Sequence, residues 1–261
     1  MKTKLNFALM LVLLATTTLF NACKDDDDDN PTTPTPTVAP KLTIDMDHLA
    51  GNQKFYLDST YTTANGDEII ASMFKYYISN IELVKTDNSV VTLEDTYFLV
   101  DASDESTWLI DFDSLGTGEF KAIRFIIGID STRNTSGAQT DALDPANGMF
   151  WSWNSGYIFV KMEGTSPSIA TSDFTYHIGG YKGAFIHYKQ VELDFDGDIL
   201  NLANNTHREL HLVTDALELF ETPTTIDLAT FATNVQMPNA NATVIADNYA
   251  NMISYDHIHE E

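Results

Sequence analysis

The chain has one cysteine, Cys23. No disulfide can form within it, so whatever folds must be held together by a hydrophobic core. The position of that cysteine constrains the chain further. Lys2 and Lys4 open the sequence, Phe7 to Leu14 is an apolar run, and Leu19-Phe20-Asn21-Ala22 leads into Cys23. A basic start, a hydrophobic stretch too short to span a bilayer and a small residue before the cut make a secretory signal. Cleavage after Ala22 would leave Cys23 as the new N-terminal residue, with its thiol as the nucleophile for lipid transfer. Residues 1–22 therefore read as a lipoprotein signal peptide and Cys23 as the lipidation site, since more than one acyl chain gives stable anchoring.

Lys24, the run Asp25 to Asp29 and the Thr/Pro tract from Pro31 to Pro40 follow. Adjacent carboxylates repel one another and the prolines favour extended backbone, so residues 23–40 read as a lipidated cysteine on an acidic, Pro-rich tether. The Lys-Asp-Asp start resembles the export signal of Bacteroidetes lipoproteins. It predicts an outer-membrane lipoprotein displayed at the cell surface, or else facing the periplasm. The formal charge is −24, and loss of the signal removes Lys2 and Lys4 and no acid, leaving about −26. A surface so acidic repels nucleic acid and attracts cations.

From Lys41 onward the pattern is that of strands. Leu42 to Ile44, Lys54 to Leu57, Tyr76 to Val84, Ser89 to Leu93, Tyr97 to Val100, Ala122 to Gly128, Gly156 to Glu163, Phe174 to Ile178, His187 to Leu193 and Arg208 to Val213 are short. They are rich in β-branched and aromatic residues and are separated by Gly, Asn, Asp and Ser. Helical signals are confined to Asp215 to Phe220, Asp227 to Phe231 and Thr243 to Met252. The expectation is an all-β domain over residues 41–261, a β-sandwich with a few short helices.

Two stretches resemble a known family. Phe74-Lys75-Tyr76-Tyr77-Ile78-Ser79-Asn80-Ile81-Glu82-Leu83 looks like the first hallmark strand of MbnP-like proteins. Ile127-Gly128-Ile129-Asp130, Leu143-Asp144-Pro145, Gly148-Met149-Phe150-Trp151-Ser152-Trp153, Gly156-Tyr157-Ile158-Phe159 and Glu163-Gly164 then follow in the order and spacing of that family's central block. The branch resembled is that of Bacteroidetes lipoproteins. The resemblance implies a copper-binding β-sandwich, in some members acting with a di-haem partner enzyme of the MauG or cytochrome c peroxidase type. That enzyme oxidises a tryptophan to kynurenine, which joins histidine nitrogens around Cu(I). Where methanotroph members have an Asn-His pair, this chain has Asn134-Thr135, so the copper histidines do not carry over one by one.

The residues themselves offer candidates. In Asp256-His257-Ile258-His259, alternate side chains of an extended segment point the same way, so both imidazoles could reach one ion. His48, near the end of the first strand, is the expected third ligand if the C-terminal segment returns beside it. The alternative for His257 and His259 is a solvated chain end. His177 reads as a hydrogen-bonded structural histidine, and His187, His207 and His211 as ordinary sheet positions. Imidazole suits copper and zinc alike. Trp108, Trp151 and Trp153 are the candidates for oxidation, against the plainer role of core aromatics. Asp130, Asp141 and Asp144 read as turn and cap residues rather than as a cation loop. With no Gly-x-Ser-x-Gly, His-Glu-x-x-His or phosphate loop, the chain is not expected to be an enzyme. The competing function is a surface adhesion or glycan- or protein-binding sandwich without metal.

Overall fold

The computed structural model describes residues 37–137, 139–152 and 155–260. Cys23, the tether up to residue 36 and Trp153 lie outside the described residues. The domain is all-β, two main sheets packed face to face, with two two-stranded ribbons and short pieces of helix among the described residues. Its principal strands are β1 (Lys41–Ala50), β2 (Glu68–Lys85), β3 (Tyr97–Asp101), β4 (Leu109–Phe112), β5 (Gly118–Ile127), β6 (Val160–Thr165), β7 (Asp173–Ile178), β8 (Lys189–Asp194), β9 (His207–Asp215) and β10 (Ile253–Glu260). Of the helices, α1 is Ser131–Asn134 and α2 is Ala240–Tyr249.

The smaller sheet is built on β1. It pairs in parallel with β9, β9 pairs antiparallel with β10, and β4 pairs antiparallel with the start of β1. The larger sheet runs β8-β5-β2-β6-β7, with β3 also pairing β2. Alternation decides what each strand buries. On β1 the side chains of Leu42, Ile44, Met46, His48 and Ala50 are buried. Leu210 and Leu212 of β9 join them against Phe74, Tyr76 and Ile78 of β2. A second apolar cluster forms on the other face of β2, where Tyr77 meets Leu143, Met149, Tyr157 and Phe159.

Two glycines mark where the family-like motifs bend. Gly128 has φ +113°, and a Cβ there would stand 2.8 Å from the Phe159 ring. Gly164 lies so close to β2 that a Cβ would come within 2.3 Å of the Ile70 carbonyl oxygen. Only hydrogen fits at either place.

The helical expectations are partly corrected. Asp215 to Phe220 forms a 3₁₀ turn over Ala216–Phe220, capped by the Asp215 carboxylate on the Leu217 amide. The expected helix at Thr243 to Met252 begins earlier, because Asn239 caps the Ala242 amide. Asp227 to Phe231 is a turn and no helix: the Asp227 side chain accepts from the Ala229 amide and closes it locally. Asp130 caps α1, and Asp144 caps the Pro145–Asn147 turn.

Candidate metal centre

The first strand brings His48 indoors. It lies two residues beyond Met46 on the inner face of β1 and is 1% exposed. Its ring is 4.7 Å from that of Trp108, centroid to centroid and tilted by 54°, and 6.1 Å edge-on from Phe74. The Trp108 main chain is fixed by the Met46 amide, which donates to its carbonyl at 3.0 Å, just before β4 joins β1. The Trp108 indole N–H donates to the Asp101 carbonyl at 2.9 Å, holding the ring over the end of β3. Local sequence delivers the two ends of this arrangement, and the pairing of β4 on β1 brings them together.

Behind the imidazole stands a short polar chain. Tyr76 Oη is 3.2 Å from His48 Nε2 and 2.8 Å from Thr214 Oγ1. The other ring nitrogen, Nδ1, is buried and without a hydrogen-bond partner. Burial pushes the His48 imidazole down to about 4, so it is neutral at any ordinary pH. Burial likewise raises the Tyr76 phenol, which stays protonated. A neutral imidazole with a free nitrogen is the state in which histidine binds a metal. Met46, buried on the same face of β1, offers a thioether, a soft donor suited to Cu(I).

The expected partners of His48 are elsewhere. The C-terminal segment does return to the sheet as β10, but it pairs with β9 rather than with β1. His257 and His259 point away from the core and are exposed, while His48 faces inward. A site joining all three would need an ion on both faces of one sheet, so the expectation of His48 as third ligand to that pair is corrected. The neighbour that sequence reading passed over is His211. It is directly opposite His257 on β9, with rings stacked at 4.2 Å and 6° from parallel. Asp45 Oδ2 is 3.4 Å from His211 Nδ1, and Asp256 Oδ2 is 2.9 Å from His257 Nδ1. Among the described residues no three His, Cys, Asp or Glu side chains form a ready metal cage.

The remaining histidines are engaged. His177 Nε2 is 2.7 Å from Glu163 Oε1 across the β6–β7 pair. His187 is buried, with Nδ1 donating to the Gly179 carbonyl at 2.7 Å and Nε2 3.0 Å from Thr243 Oγ1, more enclosed than a sheet position suggested. His207 Nε2 is 2.9 Å from Thr43 Oγ1. Trp151 packs in the second apolar cluster, its indole nitrogen buried and without a partner. Gly179 leaves room for that ring, since a Cβ there would meet it at 2.8 Å.

Fold and site define a β-sandwich that buries a neutral histidine between its sheets, with a partly buried indole packed on it. A model of the MbnP family matches residues 39–242, and the chain belongs to that family. Among solved structures it is similar to MbnP from Methylosinus trichosporium, with 13% identity and a TM-score of 0.52, covering 78% of this chain and 86% of that one. At that identity the likeness shows the shared fold. No curated protein matches the sequence.

Proposed function

We propose that this protein holds copper between its two sheets, with His48 as the imidazole ligand and Trp108 as the tryptophan that a partner di-haem peroxidase would oxidise. Cys23, acylated, would tether it to the outer membrane. The observation that carries the reading is the unpartnered Nδ1 of buried His48 beside the Trp108 ring. A buried polar atom without a partner is uncommon and asks for an explanation, and a soft metal ion supplies one. The MbnP family is associated with copper-related function, which agrees with an imidazole and thioether donor set. When bound, Cu(I) would supply a soft acceptor; the protein's part is to keep the imidazole neutral, dry and aimed.

Trp108 is preferred over Trp151 for a reason of contact. It is the described tryptophan whose ring packs on a histidine with a free nitrogen. His257 and His259 form an open surface pair beside His211 instead.

Competition titration with a chromophoric Cu(I) chelator, on protein purified from its native host, tests this. Wild type and His257→Ala/His259→Ala are expected to bind one ion with equal affinity, and His48→Ala to lose it. Retention by His48→Ala with loss in the double variant would transfer the metal to the outer face. Peptide mass mapping is expected to find kynurenine at position 108 and tryptophan at 151 and 153.

A further inference from the structure

The free nitrogen of His48 is a matter of which ring nitrogen carries the proton, and the neighbours on its other side bear on that. If Nδ1 carried it, a buried N–H would have no acceptor. Tyr76 would then donate to Nε2, and Thr214 to Tyr76. If Nε2 carries it, Nε2–H donates to Tyr76 Oη at 3.2 Å, and the Tyr76 hydroxyl donates onward to Thr214 Oγ1 at 2.8 Å. The donor left over is then the Thr214 hydroxyl, which can turn about its C–O bond to find an acceptor as an N–H fixed in the ring plane cannot, and Nδ1 keeps its lone pair. Buried orphan donors are rarer than under-used acceptors, because a stranded N–H forfeits its full desolvation cost. All three residues are buried, at 1% exposure for His48 and 0% for Tyr76 and Thr214, so water does not offer an alternative partner.

We infer that Tyr76, backed by Thr214, is a positioning residue that fixes His48 as its Nε2–H tautomer and so presents the Nδ1 lone pair toward a metal. The use of that lone pair rests on the copper reading; the tautomer itself does not. The parts come from three strands in two sheets. His48 is on β1, Thr214 on β9 in register opposite it, and Tyr76 reaches across from β2. The relay therefore ties ligand geometry to the packing of one sheet on the other. Hydrogen-bonded partners behind a metal-binding histidine orient the ring and raise its basicity.

Nitrogen-15 NMR of histidine-labelled, metal-free protein reads the tautomer directly. Wild type is expected to show His48 protonated at Nε2 and bare at Nδ1. Tyr76→Phe removes one oxygen, and should give a tautomeric mixture together with a tenfold to hundredfold weaker Cu(I) affinity, about the effect of losing such a partner. Thr214→Val, which takes away the acceptor at the far end, should shift both readouts the same way. A proton on Nδ1 in wild type overturns the inference even if neither variant folds. An unchanged tautomer in folded Tyr76→Phe overturns it as well. Wild type with the expected tautomer but no copper uptake would sink the copper reading and leave the positioning role of Tyr76 standing.

Discussion

At His48, burial sets the charge state and makes stability depend on pH. In the unfolded chain the imidazole titrates near 6.5, whereas in the fold it is pushed down to about 4. Above pH 6.5 both states are neutral. Between 6.5 and 4 the unfolded chain takes up a proton that the folded one refuses, so stability falls as pH drops, by about 3 kcal/mol in all once pH is below 4. Urea melts at pH 7 and pH 4.5 should therefore show a larger loss for wild type than for His48→Gln, which has nothing to protonate at that place. Equal losses in the two proteins would show that the imidazole is solvated. A related expectation concerns Gly128, whose φ of +113° and contact with Phe159 exclude a side chain. Gly128→Ala should cost about 1–3 kcal/mol from backbone strain alone, read as a lowered urea midpoint.

On the scale of elements, α2 is held to the 3₁₀ turn before it by one buried side chain. Asn248 donates to the Leu219 and Thr224 carbonyls at 3.1 and 2.8 Å and accepts from the Thr224 amide at 2.9 Å. Asn248→Ala strands these groups and should cost about 3 kcal/mol; Asn239→Ala, which removes a helix cap and an exposed bond to the Met237 carbonyl, about 1 kcal/mol. Denaturation of the two variants side by side checks the order, and a smaller loss at Asn248 would contradict it. The same scale explains what the sequence disclosed. Alternation on β1 was legible: His48 shares its parity with Leu42, Ile44 and Met46, and that parity alone puts it inside. What parity cannot give is register between distant strands. β10 carries an irregularity where it pairs with β9, between His211 and Leu212, so that Tyr255 opposes Leu212 while His257 opposes His211. The extra residue, Asp256, breaks simple alternation, and with it the means of placing His257 and His259. The pairing of Trp108 with β1 was hidden for the same reason, since the Met46 amide finds its carbonyl across more than sixty residues of chain. Asp227 to Phe231 was misread because an aspartate that starts a helix and one that closes a turn look alike in sequence.

For the whole molecule, the expected anchor is a matter of one atom. Replacing Cys23 with Ser should abolish incorporation of labelled palmitate and move the protein from the membrane to the soluble fraction. Continued labelling would end the lipoprotein reading. The acidic charge raises the local concentration of cations around the domain without selecting among them. On the copper reading proposed above, selectivity would fall to the enclosed donors, where softness and dryness count.

The parallel pairing of β1 with β9 sets an order in time. Lys41 stands opposite His207 and His48 opposite Thr214, so β1, whether made on the ribosome or passed through the proposed export route, would wait for a partner that comes more than 150 residues later. Closing so long a loop is entropically slow, and topologies dominated by distant contacts fold late. Until β9 arrives, His48 has neither Thr214 at its back nor a second wall against solvent. A passing ion would meet only an ordinary exposed imidazole. On the proposed export and copper loading, the connectivity itself would postpone an enclosed site until β9 had emerged, and a fragment ending before His207 would offer an imidazole without its enclosure.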